Sequence, residues 1–332
     1  MFKFVLKRIL QMIPTILGMT FIGFVVIKLA PGDFLSSLEL NPSYSKETIE
    51  ELKKLYGLDE NIFVQYFKWL FNAITFNLGY SFAYHKPVSE LISERLLNTL
   101  SLTVSSFVLS WAIGIPLGVY SAMKSGKLAD KIIRAYSYLG ISVPNFFVAF
   151  LLMLFSAKTG ILPIGGIQSF NFEELSFFGK ITDRIHHMLL PLTVLVFGSS
   201  ASLVRLVRNT VMDELKKDYV LLARAKGLPE RRILFVHVLK NAMSPFYTLI
   251  GFDIANLLSG AVLIEIITSW PGIGRLMFDA VMSQDFFVVM GSLYIGGLML
   301  LAGNLFADIM LAINDPRVRE REVEGKEVGR TA

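Results

Sequence analysis

The groups that could carry chemistry are few. His186 and His187 adjoin each other outside an apolar stretch with Asp183 nearby, and this lone pair reads as interfacial or solvated rather than as a metal site. The chain has no cysteine, which excludes a disulfide framework, a Cys-ligated zinc, an iron-sulfur cluster and a thiol nucleophile. Gly126-Lys127, Gly179-Lys180 and Gly325-Lys326 each lack the earlier glycine and the following Ser or Thr of a P-loop. Neither an H-E-x-x-H nor a G-x-S-x-G pattern occurs. No enzyme activity and no cofactor are expected.

Polar residues inside apolar stretches come next, because placing them in lipid is unfavourable by a few kcal/mol. Asp253 and Asn256 are one helical turn apart, as are Asn304 and Asp308, so each pair shares a helix face. Two readings stay open: a polar lining for a translocation path, or interhelical hydrogen bonds that fix packing. Lys28 and Glu265 fall near the ends of apolar stretches and are expected to snorkel. Gly114 and Gly118 have the G-x-x-x-G spacing that admits a close neighbouring helix, with Pro116 between them as a possible kink.

The densest local signal lies further along. Residues 213–226 suit a polar helix, Gly227 suits its termination, and Pro229 suits the first turn of a second helix through His237 or beyond. The result is a helix-turn-helix elbow. Arg224, Lys226, Arg231 and Arg232 can simply follow the positive-inside tendency of membrane proteins, or they can serve a docking surface around the small residues Ala223, Ala225 and Gly227.

The elements that must position these groups are set by composition. Of 332 residues 53% are hydrophobic and 18% charged, and the mean hydropathy is +0.56. A chain solvated by lipid has this character. The net charge of +5 and pI near 9.2 are assigned to positive-inside bias, so no nucleic-acid partner is expected. Six stretches reach the roughly 20 apolar residues that span a bilayer. They are 9–30, 99–123, 135–156, 188–206, 246–267 and 288–313. The fold class is therefore an all-α polytopic membrane protein with six transmembrane helices. The first stretch follows Lys3, Lys7 and Arg8 but is too long for a signal-peptide core, and is kept as a span.

Lys and Arg alternate in density between loops, and 21 of the 31 outside the spans fall on one side. Both termini and the 205–240 loop are accordingly expected in the cytoplasm. Four regions follow: an N-terminal cytoplasmic segment and first span at 1–30, an extracytoplasmic helical segment at 31–98, a five-span core at 99–313 with a coupling loop at 209–245, and a charged tail at 314–332. In the second region, Ser45 precedes an amphipathic spacing to Leu58 that Gly57 ends, and Val64 to Phe71 carries interfacial aromatic residues. Both belong to a small extracytoplasmic cap.

The segment Asp218-Tyr-Val-Leu-Leu-Ala-Arg-Ala-Lys-Gly-Leu-Pro-Glu-Arg-Arg-Ile233, with His237-Val-Leu-Lys-Asn-Ala242, resembles the coupling motif of the membrane permease subunits of binding-protein-dependent ABC importers, in the dipeptide, oligopeptide and nickel class. Ala223, Gly227 and Leu239 match its second Ala, its Gly and its Leu. Leu221, Leu222, His237 and Lys240 depart from the general consensus. Similar family segments are Arg8 to Gly18, Ala30 to Asp33, Ser142 to Phe147, Leu162 to Gly166 and Ser269 to Leu276, so the resemblance covers nearly the whole chain. It implies a multi-pass subunit of a prokaryotic plasma membrane that takes up peptides or a related small solute. Its implied partners are a second homologous permease, two cytoplasmic ATPases that hydrolyse ATP, an extracytoplasmic solute-binding protein and membrane lipid. The implied ATPase-coupling residues are Ala223, Arg224, Ala225, Lys226, Gly227, Leu228, Pro229, Glu230, Arg231, Arg232 and Leu239. A standalone secondary transporter or channel using Asp253 and Asp308 is the alternative; it calls for an internal repeat with broken helices, and none is evident.

Overall fold

The structure is a computed structural model that describes residues 2–29, 47, 51, 60–243, 245, 246, 249, 250, 253 and 261–314. In chain order its elements are α1 (Phe2–Leu29), α2 (Ile62–Ile74), β1 (Tyr80–Ser81), β2 (Lys86–Pro87), α3 (Val88–Met123), α4 (Leu128–Ser142), α5 (Asn145–Thr159), α6 (Phe177–Leu215), α7 (Asp218–Ala225), α8 (Glu230–Arg232), α9 (Leu239–Ala242), α10 (Val262–Ile267), α11 (Ile273–Met282) and α12 (Phe286–Asn314). A single 3-10 turn, Phe172–Glu174, precedes α6, and a π-helical stretch, Ile233–Val238, joins α8 to α9. Helix dominates because lipid offers no hydrogen bonds, so each backbone amide must be satisfied within its own segment.

By length and composition α1, α3, α6 and α12 can each cross a membrane. The third expected span, 135–156, is not a straight helix. It divides into α4 and α5, bent by 102°. The cause is local: Pro144 lacks an N–H and forces Val143 into an extended conformation (φ −90°, ψ 122°), so α5 starts afresh after it. The second expected span begins earlier than hydropathy suggests, since α3 runs 36 residues, or about 54 Å at 1.5 Å per residue. Likewise α6 runs 39 residues and extends well beyond 188–206 at both ends. Half of the fifth expected span, 246–267, lies outside the described residues, as do the amphipathic helix expected before Leu58, apart from Glu47 and Glu51, and the tail after Asn314. The all-α expectation is corrected in one detail, a two-residue antiparallel hairpin pairing Tyr80 with Pro87 and Ser81 with Lys86.

Two compact units share the chain. Among the described residues, the first combines those up to Thr99 with Pro271–Leu305, and the second combines Leu100–Trp270 with 306–314. In the first unit α2 packs on α1: Tyr66 Oη donates to the Leu17 carbonyl at 3.0 Å, and its ring meets Phe21 and Phe24 edge-on. Trp69 meets Tyr294 of α12 in the same way. Asp285 locks the hairpin to the start of α12, accepting from Ser81 Oγ at 2.7 Å and Ala83 N–H at 3.0 Å. Lys28 stands over the Phe286 ring, 5.2 Å from its centroid.

The second unit is built around α6. Along its C-terminal half α3 comes so close that a side-chain carbon at Gly118 would stand 2.6 Å from Val207 Cβ and 2.9 Å from the Val204 carbonyl oxygen, and one at Gly114 2.8 Å from Leu203. The G-x-x-x-G spacing thus seats α6, and α3 continues through Pro116 without a break. Gly140 of α4 meets Ala201 of α6 equally closely. Glu265, expected to snorkel, is instead fully buried beside Ile264 in α10. Ile264 forms an apolar cluster with Leu102, Ala149, Leu192 and Trp270 that holds α10 inward.

Candidate functional site

The elbow forms where α6 ends. Lys216 caps α6, and the polar helix expected over 213–226 is two helices, with α7 restarting at Asp218. Glu214 fixes this corner: it accepts from Lys217 Nζ and from Tyr219 Oη, both at 2.6 Å. Burial first, and then the hydrogen bond to Glu214, push the Tyr219 hydroxyl above the ordinary phenol range.

A Schellman turn closes α7. Gly227 N–H reaches the Arg224 carbonyl at 2.9 Å and Leu228 N–H the Ala223 carbonyl at 3.3 Å. Gly227 adopts φ +74°, which glycine tolerates and a side chain resists. Pro229 then occupies the cap preceding α8 rather than its first turn. Across the turn the Arg224 guanidinium donates two hydrogen bonds to Glu230, at 2.7 and 3.1 Å. That contact holds the Glu230 carboxyl below the usual carboxylate range and raises Arg224.

The faces of the elbow are sharply divided. Val220, Ala223, Ile233, Leu234 and Val238 are buried together with Val207 and Val211 of α6, and Leu228 and Leu239 pack against them. Arg224, Ala225, Lys226, Gly227, Pro229, Glu230, Arg231 and Arg232 are exposed. Leu221 and Leu222 are exposed as well, at 54% and 58%, an unfavourable placement for leucine unless another surface covers it. Sequence reasoning spread the contact over 223–232 and Leu239, of which Ala223 faces inward, and counted Leu221 and Leu222 only as departures from a consensus. Two adjacent leucines ending in a basic turn were the available signal.

Behind the elbow lies a charge cluster that the sequence did not reveal. Asp130, 1% exposed, accepts from Arg208 Nε at 2.7 Å and Nη2 at 3.1 Å, from Ser121 Oγ at 2.7 Å and from Gly126 N–H at 2.9 Å. Arg134 approaches to 3.6 Å. One carboxylate thereby ties the end of α3, the start of α4 and the stretch of α6 leading into the elbow.

The second candidate site is a cavity of about 430 Å³ among α3, α5 and α6, bordered also by Asp253 and Ala261. Asp253 accepts from Trp111 Nε1 at 2.9 Å. Thr103, Ser106 and Ser110 of α3 and Ser199 and Ser202 of α6 line it, with Asn145 at the start of α5. Of the other expected polar positions, Asn304 is exposed and Asp308 partly buried on α12, and Asn256 lies outside the described residues. His187 is buried, with Nδ1 2.9 Å from the Asp183 carbonyl oxygen, and His186 Nε2 is 2.9 Å from that of Ile161. Among the described residues no group of His, Asp and Glu is arranged to hold a metal ion.

Residues 114–320 match the family model described as "Binding-protein-dependent transport system inner membrane component", and residues 1–103 match that of the N-terminal part of such membrane components. The chain belongs to this family. It is 40% identical to the oligopeptide transport system permease protein AppB of Bacillus subtilis (strain 168), over 96% of this chain and 99% of that one. It is 33% identical to the dipeptide transport system permease protein DppB of Escherichia coli (strain K12), over 97% and 100%. A putative peptide transport system permease of Brucella abortus (strain 2308) is 35% identical over 95% and 98%. The protein is thus a multi-pass inner-membrane permease of a binding-protein-dependent ABC importer, and ATP hydrolysis belongs to separate subunits. The standalone transporter reading is set aside.

Proposed function

We propose that this permease carries peptides and is driven through its elbow. In this reading it crosses the membrane six times with both termini in the cytoplasm, and it pairs with a second homologous permease. Two ATPases sit on the cytoplasmic face, and a solute-binding protein delivers cargo from the other side. The regions 1–30, 31–98, 99–313 and 314–332 divide the work as the sequence suggests, with 209–245 as the coupling loop. Peptide cargo is carried over from the peptide permeases to which the chain is 33–40% identical.

The exposed Leu221 and Leu222, set beside a Schellman turn with four outward cations, are the observation that carries the docking assignment. Two leucines supply the apolar anchor of an interface, and Arg224, Lys226, Arg231 and Arg232 its polar rim. Motion at this surface reaches the membrane because α7 and the π-helical stretch bury their inner faces on α6, so the elbow and the long helix move as one packed body. The cavity holding Asp253 lies on the translocation route.

Replacing Leu221 and Leu222 together with Asp tests this. Both face solvent, so the permease should still fold and insert, while binding-protein-stimulated ATP hydrolysis and uptake fall at least tenfold in the reconstituted complex. Unchanged stimulation and uptake would refute docking at this surface.

A further inference from the structure

We infer that Asp253 is a recognition residue for ammonium groups on the cargo, and that the cavity it borders favours cationic over anionic peptides in transit. This rests on the peptide-permease reading. Among the described residues lining the cavity Asp253 is the one ionisable side chain, with no Lys, Arg or His to neutralise it. One carboxylate oxygen takes the Trp111 indole N–H, and among the described residues the other accepts no hydrogen bond. In a low-dielectric setting such an acceptor attracts a positive group and repels a negative one far more strongly than in water.

The remaining walls suit the same guest. Thr103, Ser106 and Ser110 repeat along one face of α3, each largely buried. Hydroxyls accept from ammonium N–H groups and donate to peptide carbonyls. The Trp111 and Phe107 rings, centroids 5.6 Å apart, also border the cavity, and aromatic rings attract cations rather than anions to their faces. Among the described lining residues none offers an anion a comparable site.

The test uses the full reconstituted importer with its solute-binding protein saturated by trilysine or by triglutamate. Uptake by the Asp253→Asn variant is expressed relative to wild type for each peptide, which cancels the binding protein's own preference. The expected result is a relative uptake at least tenfold lower for trilysine than for triglutamate, with Asp253→Glu restoring most of the trilysine rate. An equal change for both peptides would overturn the inference and make Asp253 a packing residue, leaving the peptide-permease reading intact. Failure of the wild-type complex to carry either peptide, while ATP hydrolysis remains responsive to the loaded binding protein, would overturn the peptide reading and this inference with it.

Discussion

Changing Asp130 to Asn removes a charge and almost no volume, so its effect isolates the ion pair at the base of α3, α4 and α6. In the native protein the Arg208 fork meets both carboxylate oxygens, and its side chain is only 14% exposed. In the variant one of those oxygens becomes an amide NH2, so donors face donors and the guanidinium stays buried without its counter-charge. Breaking a buried pair from one side is destabilising by about 3–5 kcal/mol. Arg208→Met alone strands the carboxylate, although Ser121 Oγ and Gly126 N–H still serve it, so its effect should be smaller, about 1–3 kcal/mol. With both changes neither charge remains, and a double variant of matched volume should lie within about 1 kcal/mol of wild type. Adding Arg208→Met to the Asp130→Asn variant is therefore stabilising, the reverse of its effect in wild type. Thermal midpoints of the four detergent-solubilised proteins, read by size exclusion after heating, would show this order. Losses that simply add would refute the pairing.

Gly118→Leu should disrupt the α3–α6 contact, since even a first side-chain carbon would stand 2.9 Å from the Val204 carbonyl oxygen, and overpacking of this kind is destabilising by about 1–3 kcal/mol or more; Gly126→Ala, where a side-chain carbon meets nothing within 4 Å though φ is +79°, should be milder in the same thermal assay. Glu230, held below the usual carboxylate range by Arg224, stabilises the elbow above its ordinary pKa of 4.5, and this contribution disappears as pH falls through its lowered folded value. Both groups are exposed, so the loss is under about 1 kcal/mol; amide exchange of α7 should quicken at low pH in wild type and show little of that dependence in Glu230→Gln.

The legible and illegible parts of this fold differ by physical origin. Long apolar helices announce themselves because lipid demands them, and the Gly227-Leu228-Pro229 turn does so because few residues tolerate that backbone. Averaging over a window hid the bend after Ser142: both arms are apolar, and only Pro144 marks the break. Helix phase was lost at Lys216 and Lys217, where the chain restarts, so Ala223 turned inward and Leu221 and Leu222 outward. Asp130 and Arg208 are 78 residues apart, and nothing local in either segment names the other. Burial of Glu265 depends on α10 folding against distant helices, which hydropathy at a span end does not register.

Docking of the ATPase on the elbow is tested most directly by cross-linking, and the absence of native cysteine gives a clean background. Single cysteines at Leu222 and Arg231 should form disulfides with a cysteine in the groove of the partner ATPase within an assembled, transport-active complex, and should resist impermeant thiol reagents applied from outside. A cysteine at Asp279, which lies between the fifth and sixth expected spans and so on the extracytoplasmic side in this reading, should do the reverse. Failure of both elbow cysteines to cross-link in the active complex, or their labelling from outside, would contradict the account.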